Sequence, residues 1–195
     1  LCAGLPVWVA AQSPLPHPVH GTARTVVATQ GIETHVLPNG MQLIIKVDRR
    51  APTAVHMVWL RVGSIDEVDG KSGIAHVLEH MLFKGTSVHG DLKGELSARG
   101  ADFNGTTSFD RTNYFETLTA TDANLKWAIE MEADRMVNSR VSRQDLDSEM
   151  TVVRNEFEMG ENSAGRVLQE RLRSTAYLWH GYGRSPIGSR SDIEK

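Results

Sequence analysis

Apolar residues recur along this chain with two periods, and the alternation of those periods sets out its elements. Around His35-Val36-Leu37-Pro38 and residues 41–47 the apolar positions fit two strands. Asn39-Gly40 between them supplies the positive dihedrals of a two-residue hairpin turn. Residues 53–62 read as a third strand, apolar on both faces and therefore central in its sheet. Residues 73–83 switch to helical spacing, with Ser72 as cap and Gly85 just beyond the end. Residues 91–99 form a short helix closed by Gly100. Residues 103–109 and 112–119 alternate polar and apolar around Asp110-Arg111, a second hairpin.

Thr121 or Asp122 caps a helix to about Asn138. Ser142, with Asp145 three residues on, opens another in which Leu146, Met150, Val153 and Phe157 form one stripe. Residues 160–165 interrupt that helix and residues 166–179 resume it. The order β-β-β-α-α-β-β-α-α does not alternate strictly, so it predicts an α+β fold with helices packed on a mostly antiparallel sheet.

The first helix also carries chemistry. On a wheel of about 100° per residue, Val77, Leu78, Met81 and Leu82 gather around Ile74, while His76, Glu79 and His80 fall on the far side. The expectation is a core face and a separate reactive face. Histidines at i and i+4 project side by side and can bring two ring nitrogens to one metal ion. A catalytic zinc site needs a third protein ligand and an open fourth position. Glu156, at the margin of the stripe on the helix opened by Ser142, is the candidate third ligand. Glu149, two turns earlier on nearly the same face, is a supporting or reserve carboxylate. Glu79 is left free as general base toward a zinc-activated water. Glu158 points elsewhere on the wheel and reads as solvated.

Composition narrows the alternatives. At 195 residues, 40% hydrophobic and 23% charged, the chain suits one globular domain. A net charge of -3 gives no basic patch to expect on nucleic acid or an anionic membrane. Residues 1–11 are apolar and residues 12–18 proline-rich, as a signal peptide is near its cleavage site. Residues 1–18 are therefore expected to be leader remnant and linker, and residues 19–195 one globular domain incomplete at its C-terminus. The only cysteine, Cys2, lies in that leader, which excludes thiol catalysis and a thiolate metal site from the rest. No other stretch reaches the roughly 20 apolar residues that a membrane span needs. The remaining histidines, His17, His20, His35, His56, His89 and His180, show no partner at ligand spacing. The four tryptophans are expected in the core or at an interface.

His76-Val77-Leu78-Glu79-His80 is the inverzincin signature. More of the chain resembles the pitrilysin family, which includes insulysin and the mitochondrial processing peptidases. The resemblance rests on Leu37-Pro38-Asn39-Gly40, Arg61-Val62-Gly63-Ser64, residues 73–86, Phe103-Asn104-Gly105-Thr106 and Val152-Val153-Arg154-Asn155-Glu156. It implies one Zn2+ per domain, held by His76, His80 and Glu156, with Glu149 as the additional acidic residue. It implies a zinc-dependent metalloendopeptidase acting on peptides or unfolded polypeptides, built from homologous half-domains in one chain or two subunits. It also implies that the strand near residues 103–108 offers its edge to substrate, with Phe103, Asn104 and Gly105 at that edge. Residues 110–114 and 159–163 look most like the exported bacterial members, which implies a periplasmic location. The family includes inactive halves, so a non-catalytic partner is the rival reading, and a zinc-stapled domain with a closed four-ligand site is a third.

Overall fold

The computed structural model describes residues 24–29 and 31–194, which group into two compact units divided between Ala51 and Pro52. The expected leader, with Cys2 and Trp8, lies outside the described residues, as do His17 and His20.

The first unit is one antiparallel sheet of β1 (Arg24–Thr29), β2 (Ile32–Val36) and β3 (Gln42–Lys46), in that order. The β1 strand was not foreseen. The β2–β3 hairpin was, but its loop is three residues rather than two. Leu37 N–H donates to the Met41 carbonyl at 2.8 Å, and Gly40 N–H donates to the Leu37 carbonyl at 2.9 Å. Proline has its φ fixed near -65°, so Pro38 favours a turn that begins at its own position, with the positive dihedral deferred to Gly40 at φ +86°.

The second unit begins with β4 (Thr53–Leu60) and continues through α1 (Ile74–Met81), α2 (Leu92–Ala98), β5 (Asp102–Thr107) and β6 (Thr112–Thr119). It ends with α3 (Asp122–Asn138), α4 (Arg143–Glu161), α5 (Ala164–Ala176) and the four-residue α6 (Arg190–Ile193). The fold is α+β with all strand pairs antiparallel among the described residues. The second sheet runs β4-β6-β5. The expectation that residues 53–62 are central is corrected: β6 is the middle strand, and among the described residues β4 pairs on one side only. Apolar residues on both faces of β4 do not mark a doubly covered strand here, because Val55, Met57 and Trp59 are exposed. Trp179 is also exposed, so two of the tryptophans lie outside the core.

Two apolar clusters hold the helices. Leu92, Leu96 and Met131 pack with Ala101, Phe103 and Trp127, joining α2 and α3 to β5. Val153, Ile187 and Ile193 pack with Val77, Met150 and Phe157, joining α1 to α4 and α6. The stripe read from the sequence of α4 is thus the face that meets α1. Caps fix the phase of the helices. Thr121 accepts from Asn124 N–H, Ser142 from Asp145 N–H and Asp91 from Gly94 N–H.

At α1 the expected cap is displaced. Gly73, at φ +91°, takes the N-cap position, and the Glu67 carboxylate accepts from Gly73 N–H at 2.9 Å and Ala75 N–H at 2.8 Å. Burial raises the Glu67 pKa. Ser72 instead bonds Asp192, with Oγ at 2.6 Å and N–H at 3.0 Å.

Candidate metal centre

The α1 helix lies between β5 and α4, and its polar face turns inward. Glu79 is 8% exposed and Met81 1%, whereas Ile74 and Leu78 are 57% and 46% exposed. The sequence-based division of α1 into an apolar core face and an outward reactive face is therefore reversed at Ile74 and Leu78. Apolar residues tolerate water at modest cost, so their periodicity gives the phase of a helix without choosing which side is covered.

The reversal brings the two histidines against α4. His76 Nε2 and His80 Nε2 lie 3.5 Å and 3.6 Å from the same oxygen, Glu156 Oε2. The two rings stand edge to face, centroids 4.7 Å apart. One atom from each of the three residues falls within 4.8 Å of the others. Tetrahedral zinc with ligand bonds of about 2.0–2.1 Å sets its ligand atoms about 3.3 Å apart. The separations to Glu156 match that figure, so the donor set fits the ion.

The protonation states suit it as well. His76 has its pKa lowered to about 4, first by burial, then by the charge on His80 and on Arg166. It is therefore neutral at pH 7 and has a lone pair to give. His80 Nδ1 lies 2.9 Å from Glu149 Oε2, and a carboxylate only accepts, so Nδ1 carries a proton and the ring turns Nε2 toward Glu156. Burial alone would raise the Glu149 pKa, but bonds from Lys84 and His80 outweigh it and lower it. Sequence reasoning placed Glu149 near the site but missed Lys84, which pairs with its other oxygen. The Nδ1 of His76 is buried without a hydrogen-bond partner, so no neighbour fixes its tautomer.

Glu79 is set by β5. Thr107 Oγ1 donates to Glu79 Oε2 at 2.6 Å, and a Cβ at Gly105 would come within 2.9 Å of Glu79 Cγ and 3.0 Å of Oε1. Only glycine lets the strand approach this closely. Burial raises the Glu79 pKa, with the Thr107 bond pulling the other way. Thr107 was missed, although it stands two residues from Gly105 on the same strand face.

The three substrate-edge candidates separate. Phe103 is partly buried, packed on the cluster of Leu92, Leu96 and Met131 and beside Phe83, centroids 6.0 Å apart. Gly105 is occupied by Glu79. Asn104 is exposed on the opposite strand face, its Oδ1 accepting from Gly105 N–H at 2.9 Å. What remains available is the backbone edge of β5, paired with β6 on one side. An open cleft of about 830 Å³ adjoins His76 and Glu156 and is walled by α5.

The statement that the other histidines lack partners is corrected. His56, Glu116 and Glu132 also bring ligand-type atoms within 4.8 Å, and His89 pairs with Glu95 at 2.7 Å.

Residues 43–190 match the model of the insulinase family, peptidase family M16. The chain is 30% identical over 181 residues to a probable mitochondrial-processing peptidase subunit beta of Arabidopsis thaliana, covering 92% of this chain and 34% of that one. It is 34% identical over 166 residues to the zinc protease PqqE of Helicobacter pylori, covering 83% of this chain and 37% of that protein. The chain thus spans about a third of the length of these relatives. Among solved structures, a protease from Helicobacter pylori superimposes with a TM-score of 0.77 at 35% identity, over 84% of this chain and 40% of that one. The periplasmic protease PqqL of Escherichia coli shares the fold, with a TM-score of 0.78 at 22% identity over 87% of this chain and 20% of that one. With its matched residues running from β3 to α6, the chain is a member of the insulinase family of peptidases.

Proposed function

We propose that this chain supplies the catalytic half of a zinc metalloendopeptidase, with His76, His80 and Glu156 holding one Zn2+ and Glu79 as general base. The observation that carries the reading is the convergence of two histidine Nε2 atoms on one oxygen of Glu156, with Glu79 on the same helix. Bound zinc supplies a Lewis acid that lowers the pKa of water to about 7 and polarises a carbonyl. Glu79, with its pKa raised by burial, accepts a proton at its carboxylate and returns it to the leaving amine. Thr107 holds Glu79 Oε2, leaving Oε1 for that exchange. Glu149 and Lys84 keep His80 in the tautomer that presents Nε2. The free edge of β5 aligns an extended peptide by main-chain bonds, so unfolded polypeptides are the fitting substrates.

Relatives named as a processing-peptidase subunit and as the first half of PqqL support a partner half-domain, in the same chain or another subunit. The periplasmic neighbour supports an exported location, and no described helix is long and apolar enough to cross a membrane.

The test is zinc content and peptide hydrolysis measured together. Wild type should hold about one zinc per chain, Glu156→Gln should lose it, and Glu79→Gln should keep it while hydrolysis falls about 10²–10⁴-fold. Full hydrolysis by zinc-loaded Glu79→Gln would sink the assignment. The rival reading, a non-catalytic half, predicts activity that survives Glu79→Gln because it resides in another subunit.

A further inference from the structure

The cleft beside the metal ligands has a wall whose chemistry the reaction does not use. Its lining includes His76, Glu156, Arg166, Gln169, Arg173 and Ile187. Three of these, Arg166, Gln169 and Arg173, lie at i, i+3 and i+7 on α5 and so share one helix face. Arg166 is seated by a specific device. Gly160 is buried on α4 one turn beyond Glu156, and a Cβ there would lie 2.7 Å from Arg166 Cζ and 2.8 Å from Nε. A glycine in the last turn of α4 leaves the notch in which the Arg166 guanidinium sits, four residues on from Glu156. The influence of Arg166 on His76 agrees with that placement. Arg173 stacks over Phe109 at 5.0 Å and donates to Gln169 Oε1 at 2.9 Å, which orients its planar group.

Two carboxylates share the wall. Glu156 is taken by the metal in the reading above. Glu170 accepts from Ser185 Oγ at 3.0 Å and meets Arg166 through Nε at 3.5 Å. With Glu156 engaged by the metal, Arg166 and Arg173 outnumber the remaining carboxylate of this wall, Glu170, so the wall favours an anion.

We infer that Arg166 and Arg173 form a carboxylate-reading subsite, which makes this peptidase selective for acidic peptides. The inference rests on the function proposed above and names its substrate class. A guanidinium offers a planar fork that matches a carboxylate. Seven residues of helix rise about 10.5 Å, close to the length of three residues of extended peptide at about 3.3 Å each. Side chains of an extended peptide alternate faces, so the two arginines suit one Asp or Glu side chain and a C-terminal carboxylate about three residues on, or two side chains about two or four positions apart.

The experiment uses peptide pairs that differ only by Glu or Gln, each with a free and an amidated C-terminus. Zinc-loaded protein is assayed for kcat/KM, and binding of the same labelled peptides to Glu79→Gln protein is read by fluorescence anisotropy. The Glu peptide should be preferred about tenfold in both readouts. The ratio should collapse toward one in Arg166→Gln and be partly restored in Arg166→Lys. A preference abolished by amidation but not by Gln assigns the carboxylate to the C-terminus and still supports the subsite. Equal treatment of Glu and Gln, free and amidated, by wild type overturns it, as does a preference that survives Arg166→Gln combined with Arg173→Gln. Absence of hydrolysis would count against the peptidase reading alone, because the binding ratio still decides the subsite.

Discussion

Two clusters in the second unit join histidine to carboxylates, and they differ in what already balances the carboxylate charge. In the first, His76, His80 and Glu156 bring their ligand atoms together beside an open cleft, with Glu156 40% exposed. In the second, His56 of β4 stands opposite Glu116 of β6 and bonds it at 2.6 Å, and Glu132 of α3 approaches from above the sheet. There the counter-charge is already built in. Arg135 pairs with Glu132 through Nε at 3.0 Å and through a second guanidinium nitrogen, and lies over the rings of Tyr114 and Phe83. Glu116, Glu132 and Arg135 are all buried. Arg135 already pairs with Glu132 in the second cluster, whereas among the described residues Glu156 meets only the two histidines, which is what recommends the first cluster for the proposed metal.

The sharpest way to break this comparison is Arg135→Met. It leaves Glu132 buried and uncompensated, and should cost about 3–5 kcal/mol in urea unfolding. Zinc content of the folded fraction should be unchanged; its loss would show that the clusters are not independent. Next comes Glu149→Gln, expected to lower zinc affinity about 10–100-fold in competition with a chelator while the unfolding midpoint of the metal-free protein barely moves. Unaltered affinity would reduce Glu149 to a bystander. Thr107→Val should cut kcat about 10–150-fold, the equivalent of the roughly 1.5–3 kcal/mol that a hydrogen bond to a charged group contributes. Zinc should be retained, and the acid limb of the kcat/KM profile should move upward, because the Thr107 bond lowers the Glu79 pKa.

The smallest effect is in the pH dependence of the metal-free protein, where the clusters pull in opposite directions. Glu132 has its pKa raised to about 7, chiefly by burial. Its contribution to stability is fullest below about pH 4.5 and is lost as pH rises through 7. His76, lowered to about 4, contributes stability above about 6.5 that is lost as pH falls through 4. Glu132→Gln should remove the first slope and His76→Gln the second in unfolding curves from pH 4 to 8. Identical slopes in both variants would refute the assignment.

What the sequence disclosed follows the range of each interaction. The zinc-type histidines share one helix, where a spacing of four fixes their relation, and Glu156 follows from the phase of one amphipathic helix. The second cluster draws His56, Glu116 and Glu132 from three elements, so it becomes visible only once the β4–β6 register is known. Thr107 and Gly105 meet Glu79 for the same reason: their strand must first lie against α1. The α1 wheel placed Val77 and Met81 on a covered side but put Ile74 and Leu78 there too, which are exposed, since which part of a helix is covered depends on partners elsewhere in the chain. The turn at Pro38 was legible locally, and the error came from weighing Asn39-Gly40 without the proline before it.

The bond from Ser72 to Asp192 spans 120 positions and closes the chain around α1, with Ser189 N–H donating to Ser72 Oγ at 2.9 Å. Its consequence concerns time rather than geometry. The start of α1 is held by Glu67 before it and, through Ser72, by Asp192 and Ser189. Contacts this distant in sequence slow assembly, so His76 and His80 are expected to settle after residues 189–192 dock. Metal uptake should therefore trail backbone formation during refolding, and zinc capture by a chain still lacking residues 189–192 would contradict that order.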